Sequence, residues 1–364
     1  MKKTKSLALA GQSVWIDDIT RPMLTEGTLA RYISEYGVTG LTSNPTIYSK
    51  AVAQGHHYDD IILAGARPGR TDEEIFYDLA LRDLGEAADL FRDIYLRTDG
   101  VDGFVSLEVS PLLSDDAKAS VYWATELHRR AARPNLFIKI PGTTAGLVAI
   151  EESIFAGIPV NVTLLFSAEQ YRSAAEAYLR GIERRIDAGL STDVPSVASL
   201  FVSRWDVAAN PGLPPELKNR LGIAVSRKAY ALSLELHSSA RWRRAMNFGM
   251  RPQRLLFGST STKDPSASDT LYVSSLVAPY TVDTIPEKTL LAFADHGELG
   301  RPCDRDTGEA DTILTRVRAS GVDVNALAAR LQREGTESFD KSWRELLASI
   351  QSRRNALGGQ KVAV

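Results

Sequence analysis

The sequence is poor in cysteine and has almost no net charge, and both features exclude classes of protein. Cys303 is the one cysteine among 364 residues, so no intrachain disulfide can form. Such a chain is typical of a reducing compartment, and we expect a cytoplasmic protein. Its 43 lysines and arginines against 45 aspartates and glutamates give a formal net charge of −2. This balance gives no electrostatic reason to expect nucleic acid or an anionic membrane as a partner.

Long apolar runs are also missing. No segment approaches the roughly 20 apolar residues that a membrane-spanning helix needs. The basic start at residues 1–5, followed by the apolar residues 6–11, superficially resembles a signal peptide. The apolar part is too short for one and continues directly into a strand-like segment, so we expect a frayed terminus and no membrane association.

The sequence has no metal-binding or nucleotide-binding motif. His56 and His57 are adjacent and would point apart in a strand or helix, and the other three histidines lack the spacing of ligands. No glycine-rich phosphate loop follows a predicted strand. We therefore expect neither a metal site nor a nucleotide-binding loop.

The sequence does contain a regular alternation of strand-like and helix-like segments. Eight apolar segments bounded by turn residues are predicted to be strands, at 14–17, 38–42, 103–109, 137–143, 158–165, 194–202, 254–258 and 280–285. Helix signals between them include a helix predicted from Thr25 to Gly37, Pro45 in the first turn of the next helix, and capping boxes at 71–74 and 167–170.

This alternation favours an α/β fold of the (β/α)8 TIM barrel type over a doubly wound sheet. We expect a single domain over residues 1–364, with additional helices at about 71–97 and 321–352.

One predicted strand contains a residue that is costly to bury. Lys139 lies in the stretch Phe137-Ile138-Lys139-Ile140-Pro141, where every other side chain is apolar. Burial disfavours the charged ammonium, and a neutral amine can attack a carbonyl and form a Schiff base. The alternative is a lysine whose aliphatic stem packs inside while its ammonium reaches water or a carboxylate.

Polar residues lie in or just after seven of the eight predicted strands, mostly in their later halves. They are Asp17, Thr42, Asn44, Glu108, Lys139, Asn161, Thr163, Ser199 and Ser259. In a barrel these positions meet at one mouth, which is where barrel enzymes have their active sites. The convergence favours the catalytic interpretation of Lys139.

A desolvated lysine beside carboxylates and hydroxyls suits imine-based carbon–carbon bond chemistry, and the lack of metal-ligand spacing disfavours a zinc-dependent aldolase. Lys139 would attack a ketone, and the iminium would accept the electrons released by cleavage of the adjacent bond. Asp17 and Glu108 are candidates for the acid and base groups, although each could instead cap a helix or form an ion pair.

Arg204, Ser259 and Lys263 are candidates for a phosphate site. An arginine offers a fork of donors, and the turn at Gly258-Ser259-Thr260 offers backbone N–H groups. For Lys263 the alternative is a solvated basic loop.

Seven blocks of sequence, in order, resemble those of a known family. They are VWIDD (14–18), GLTSNPTIYSKA (40–51), VSLEVSP (105–111), NLFIKIPGT (135–143), PVNVTLLFS (159–167), VASLFVSRWD (197–206) and LLFGSTSTKDPSASDTLYV (255–273). With them the chain resembles the longer bacterial transaldolases over nearly its whole length. The resemblance implies a cofactor-free class I enzyme of the pentose phosphate pathway. Such an enzyme moves a dihydroxyacetone unit from sedoheptulose 7-phosphate to glyceraldehyde 3-phosphate, giving erythrose 4-phosphate and fructose 6-phosphate.

The resemblance also implies roles in the chemistry. Lys139 resembles the Schiff-base residue, and Glu108 and Thr163 resemble the pair that holds a catalytic water. Asp17 resembles the acid/base carboxylate, with Asp18 as the alternative.

Further matches concern the substrate. Four residues resemble those that hold the sugar hydroxyls, namely Thr42, Asn44, Asn161 and Ser199. Arg204 and Ser259 resemble phosphate-binding residues. Many relatives have an arginine where Ser261 stands here, and Lys263 follows in a longer loop.

Three functions remain as hypotheses. The first is a transaldolase, and the second is a direct aldolase or a pathway-specific transaldolase with another acceptor. The third is a non-catalytic barrel that binds sugar phosphates, which the presence of Asp17, Glu108, Lys139 and Thr163 disfavours. All three take small sugar phosphates as partners, and the protein would be a monomer or a homodimer.

Overall fold

Eight parallel strands close into a barrel in sequence order in the computed structural model, which describes residues 2–53 and 55–360. They are β1 (Gln12–Asp17), β2 (Val38–Thr42), β3 (Val105–Glu108), β4 (Leu136–Pro141), β5 (Val160–Leu165), β6 (Ser196–Phe201), β7 (Arg254–Gly258) and β8 (Thr281–Ile285). Each lies within two residues of a predicted strand at both ends. The predicted (β/α)8 barrel is therefore confirmed.

Helices surround the barrel. They are α1 (Thr4–Leu9), α2 (Arg21–Thr25), α3 (Thr28–Arg31), α4 (Pro45–Ala53), α5 (Asp59–Gly65), α6 (Asp72–Leu90), α7 (Arg92–Arg97), α8 (Ala117–Ala131), α9 (Thr144–Phe155), α10 (Ala168–Asp187), α11 (Ser203–Ala209), α12 (Leu221–Ser238), α13 (Ala240–Asn247), α14 (Leu271–Ser275), α15 (Glu287–His296), α16 (Gly308–Ala319) and α17 (Val324–Gln360). None of those in the described part of the chain is both long and apolar enough to cross a bilayer.

The helix predicted to begin at Thr25 begins earlier and is broken. Thr20 is the N-cap, because its side chain accepts a backbone N–H of the first turn of α2, and α2 ends at Thr25. Gly27 then has a φ of +76°, which interrupts the helix before α3 and the π-helical turn Tyr32–Tyr36. Gly37, with a φ of +74°, ends the segment as predicted.

The barrel interior has an apolar layer and, nearer the carboxyl ends of the strands, a polar layer. Six side chains form the apolar layer, namely Trp15, Phe104, Phe137, Val197, Leu256 and Val282. Gly40 of β2 faces Trp15, where a Cβ atom would lie 2.5 Å from the indole ring. Side chains two positions apart on a strand point the same way. The residues two positions after Trp15, Phe137 and Val197 are Asp17, Lys139 and Ser199, which explains why polar groups meet at the mouth.

A second apolar core lies over this mouth. The first half of α17 packs there with α11, α12 and α16, and its Phe339 belongs to the same cluster as Phe201 of β6. The side-chain amide of Gln332 donates to the carbonyl oxygens of Gly142 and Leu164, each at 3.0 Å. Helix α17 is thus joined to the ends of β4 and β5, the strands that contain Lys139 and Thr163.

Candidate active site

A cavity of about 270 Å³ opens at the carboxyl ends of the strands. Eight predicted site residues line it, from five strands or the segments that follow them: Asp17, Thr42, Asn44, Lys139, Ser199, Arg204, Ser259 and Lys263. A larger cleft of about 480 Å³ lies outside the barrel between α12 and α16, and none of the predicted residues lines it. Most of the predicted site residues therefore meet at the mouth of the barrel.

The other three predicted residues, Glu108, Asn161 and Thr163, are buried and do not line the cavity. Ser199 Oγ donates to Asn161 Oδ1 at 2.7 Å, and Asn161 Nδ2 donates to Ser106 Oγ at 3.1 Å. These two bonds fix the orientation of the Asn161 amide. Thr163 Oγ1 is buried and has no hydrogen-bond partner among the described residues, so it is available to a bound molecule.

Lys139 lies in the middle of this arrangement. In the register of the sheet it is flanked by Glu108 on β3 and Asn161 on β5. Its side chain is 6% exposed, and Nζ donates to the Ser43 carbonyl oxygen at 3.2 Å and to Glu108 Oε2 at 3.4 Å. Both contacts are long for hydrogen bonds that involve a charged group. The amine is thus buried, reaches a carboxylate and is only weakly bonded.

Burial raises the pKa of three carboxyl groups in or just after β1 and β3, the strands that end at this mouth. Burial raises the pKa of Glu108 to about 7, against the lowering effect of Lys139. Burial also raises the pKa of Asp17, although Lys139 and a 2.8 Å hydrogen bond from Thr42 oppose the change. The pKa of Asp18 rises to about 6 through burial and the negative charges of Glu287 and Asp17. Groups of this kind can exchange protons near neutral pH.

A basic rim lies on the β6–β7 side. Burial lowers the pKa of Arg204, while Glu334 of α17 opposes that change. Ser259 has a φ of +56°, and its Oγ lies 2.9 Å from Ser203 Oγ. Lys263 Nζ donates to Ser261 Oγ at 2.6 Å. Cationic donors and a left-handed turn next to each other can bind an oxyanion.

The cavity also has lining residues that the sequence patterns did not predict as site residues. Thr284 and Phe201 follow from strand alternation, since each lies two positions after an inward-facing residue of its strand. Lys50 of α4 and Phe339 of α17 line it as well, and nothing local distinguishes them from ordinary helix residues. Across residues 2–53 and 55–360, no three His, Cys, Asp or Glu side chains are grouped so as to hold a metal ion.

Comparison with known proteins agrees with this geometry. A family model described as Transaldolase/Fructose-6-phosphate aldolase matches residues 14–350. The chain is 45% identical over 356 residues to a transaldolase of Thermobifida fusca, covering 95% of this chain and 96% of that one. It is 43% identical over 353 residues to a transaldolase of Saccharopolyspora erythraea, with 95% and 96% covered. A transaldolase of Mycobacterium bovis is 42% identical over 352 residues, 94% of each chain.

The matched region includes all the residues that line the cavity, from Asp17 to Phe339. It also contains the whole of strands β2 to β8. The resemblance to the transaldolases is therefore confirmed. The chain belongs to the transaldolase/fructose-6-phosphate aldolase family.

Proposed function

We propose that this protein is a transaldolase that moves a dihydroxyacetone unit from sedoheptulose 7-phosphate to glyceraldehyde 3-phosphate through a Schiff base on Lys139. The products are erythrose 4-phosphate and fructose 6-phosphate. The observation that supports this most directly is the buried, weakly bonded amine with Glu108 3.4 Å away. Family membership supports the class of reaction. We expect a cytoplasmic monomer or homodimer that needs no metal or cofactor.

Imine formation begins when the Lys139 amine attacks the ketone carbon of the donor. The resulting carbinolamine loses its hydroxyl group as water, which requires a proton from an acid. Glu108 is suited to this step because its pKa of about 7 allows it to give and take a proton near neutral pH. Thr163 Oγ1, buried and without a partner in the described chain, would hold that water beside Glu108.

Carbon–carbon cleavage needs a base for the hydroxyl group on the far side of the breaking bond. Asp17 lines the cavity and Asp18 does not, which supports Asp17 in this role. Removal of the hydroxyl proton releases an aldehyde and leaves an enamine on Lys139, with the bonding electrons accepted by the iminium. The enamine then attacks the acceptor aldehyde, and Asp17 returns its proton to the new alkoxide.

The remaining predicted residues would hold the substrate. Thr42, Asn44, Asn161 and Ser199 would bond the sugar hydroxyls of the donor, and the first two and Ser199 line the cavity. Arg204, Ser259 and Lys263 are assigned to the phosphate, with the cations supplying charge and the turn at Ser259 supplying N–H groups. Burial of Arg204 strengthens its attraction for a dianion, because water screens the charges less.

Reductive trapping tests this proposal. The protein is incubated with fructose 6-phosphate and borohydride, and tryptic peptides are examined by mass spectrometry. We expect one reduced adduct, on the peptide that contains Lys139, and none in K139M. No adduct, or an adduct on another lysine, would overturn the mechanism.

The family description also includes an aldolase, which makes direct cleavage a second candidate. Addition of erythrose 4-phosphate to the fructose 6-phosphate reaction separates the two. A transaldolase forms sedoheptulose 7-phosphate, whereas a direct aldolase releases free dihydroxyacetone at the same rate with or without the acceptor.

A further inference from the structure

Helix α17 supplies an apolar group, the ring of Phe339, to the wall of the cavity. The ring centroid of Phe339 lies 5.6 Å from Lys139 Nζ, and Phe339 is 9% exposed. Its ring is also 6.5 Å from that of Phe201, so the two rings form one continuous apolar surface. Asp17 and Thr42, which are hydrogen-bonded to each other, line the same cavity. The cavity that contains the amine is therefore lined by both polar and apolar groups.

Phe339 lies between two points where α17 is anchored at the mouth. About two turns before it, Gln332 donates both hydrogens of its amide to the carbonyl oxygens of Gly142 and Leu164. Leu164 has a φ of +58°, an unusual conformation for leucine, and Gln332 satisfies its carbonyl oxygen. After Phe339, Ser342 Oγ accepts a 2.9 Å hydrogen bond from Thr46 of α4. These anchors hold the ring at a fixed depth over the amine.

We propose that Phe339 is a positioning residue that keeps water away from the Lys139 adduct, so that the dihydroxyacetone unit remains bound until an acceptor arrives. This inference rests on the proposed Schiff-base mechanism. Free dihydroxyacetone forms when the enamine carbon takes a proton, and water then adds to the iminium carbon. The C–N bond breaks, the water oxygen becomes the ketone oxygen, and Lys139 regains its free amine.

An apolar ring hinders this loss in two ways. It offers no proton to the enamine carbon and no hydrogen bond to an attacking water, so solvent near the adduct is disfavoured. The face of the ring also attracts the iminium charge at a distance of about 6 Å, which stabilises the bound intermediate. Neither effect requires contact with the phosphate or the hydroxyls of the donor. Loss of the ring should therefore change the fate of the intermediate more than the binding of the donor.

The test measures the fate of the intermediate in F339A. Dihydroxyacetone released from fructose 6-phosphate is followed with glycerol dehydrogenase and NADH, and transfer is followed as sedoheptulose 7-phosphate formed from erythrose 4-phosphate. We expect the ratio of release to transfer to rise about five- to thirtyfold, which corresponds to losing an interaction of about 1–2 kcal/mol. The KM for fructose 6-phosphate should stay near the value of the unsubstituted protein.

Three further variants separate shielding from a general loss of structure. F339L retains an apolar side chain and should restore most of the original ratio. Q332A removes one of the two anchors of α17 but retains the ring, and it should raise release in the same direction as F339A. F248A changes a phenylalanine that is 57% exposed on the far side of the molecule, after α13, and should change nothing.

The possible failures are distinguishable. If the unsubstituted protein gives neither the trapped adduct nor the transfer product, the proposed function itself is wrong. If it transfers normally and the ratio is unchanged in F339A, the role of Phe339 is overturned. If F339A does not fold, Q332A decides, and an unchanged ratio in that variant overturns the role equally.

Discussion

Buried charged groups lie at both ends of the barrel interior, but they are bonded very differently. At the end opposite the mouth, the two terminal nitrogens of Arg254 donate to the carbonyl oxygens of Val101 and Thr281 at 3.0 and 2.7 Å, and to Ser13 Oγ at 2.6 Å. The nearby Asp102 accepts from Ser13, from the indole of Trp15 at 2.7 Å and from a backbone N–H. These groups have several short bonds each.

At the mouth, Lys139 and Thr163 have fewer and longer bonds, although their neighbours Asp17 and Asn161 accept short ones. Lys139 Nζ has two contacts, at 3.2 and 3.4 Å, and Thr163 Oγ1 has none within the described residues. A group with several short bonds stays in one position and one protonation state, whereas a weakly bonded group can exchange its partners for a substrate at little cost. The difference indicates that the hydrogen bonds at the end opposite the mouth stabilise the barrel. The weakly bonded groups at the mouth contribute less to stability and are free to react.

The largest expected effect is that of K139M. Transfer activity should fall by about four orders of magnitude or more, because the covalent nucleophile is lost. Stability should not fall, since methionine is similar to lysine in volume and Glu108, with a pKa of about 7, can be protonated when it has no cationic partner. Steady-state kinetics and thermal unfolding at pH 6 measure the two quantities.

Lys341 gives a matched control for this variant, because its side chain is 79% exposed on α17. K341M should change neither quantity. If K139M unfolded the protein as well as inactivating it, Lys139 would resemble Arg254, and the contrast between the two ends would disappear.

E108Q should have the next largest effect. We expect kcat to fall by about 10²- to 10⁴-fold, because a glutamine cannot transfer protons to the water of the imine steps. In the unsubstituted protein, kcat should fall as the pH decreases through about 7, the pKa of Glu108, if the carboxylate is the active base. In E108Q, kcat should not show this fall as the pH decreases through about 7.

Stability gives an independent check on the same residue. Burial raises the folded-state pKa of Glu108 above its ordinary value of 4.5, so folding is favoured while the group is protonated. That stabilisation is complete below about pH 4.5 and is lost as the pH rises through about 7. E108Q should therefore gain stability relative to the parent at pH 8 but not at pH 4.5. E345Q, at a side chain 57% exposed, is the control, and equal pH dependence in E108Q and the parent would contradict the raised pKa.

Most of the barrel could be predicted from the sequence, because buried parallel strands are short apolar runs bounded by turn residues. Strands β2 and β7 have the predicted ends. The helix predicted from Thr25 was wrong at its start, because Thr20 is the N-cap and Gly27 has a positive φ. Capping strength and backbone conformation depend on how the chain packs afterwards, which a local pattern does not contain.

The positions of the site residues could be predicted for the same physical reason. Alternation places Asp17, Lys139 and Ser199 on the inner face, and closure of the barrel brings them together. Phe339 and Gln332 could not be found in this way, because they reach the mouth only through the docking of α17. In the sequence, Phe339 is one apolar position of an amphipathic helix. It lies about one turn before Trp343, a residue of the ordinary core, and nothing local distinguishes the two.

R254M should have the smallest effect on catalysis and a clear effect on stability. Methionine would leave the carbonyl oxygens of Val101 and Thr281 without their donor, and we expect the free energy of unfolding to fall by about 2–4 kcal/mol. Activity at 25 °C per folded molecule should stay near that of the parent, because Arg254 lies at the end of the barrel opposite Lys139. R243M, at an exposed arginine of α13, is the control for both measurements in urea unfolding and transfer assays. Loss of activity without loss of stability would show that the two ends are coupled, which their separate hydrogen-bond networks argue against.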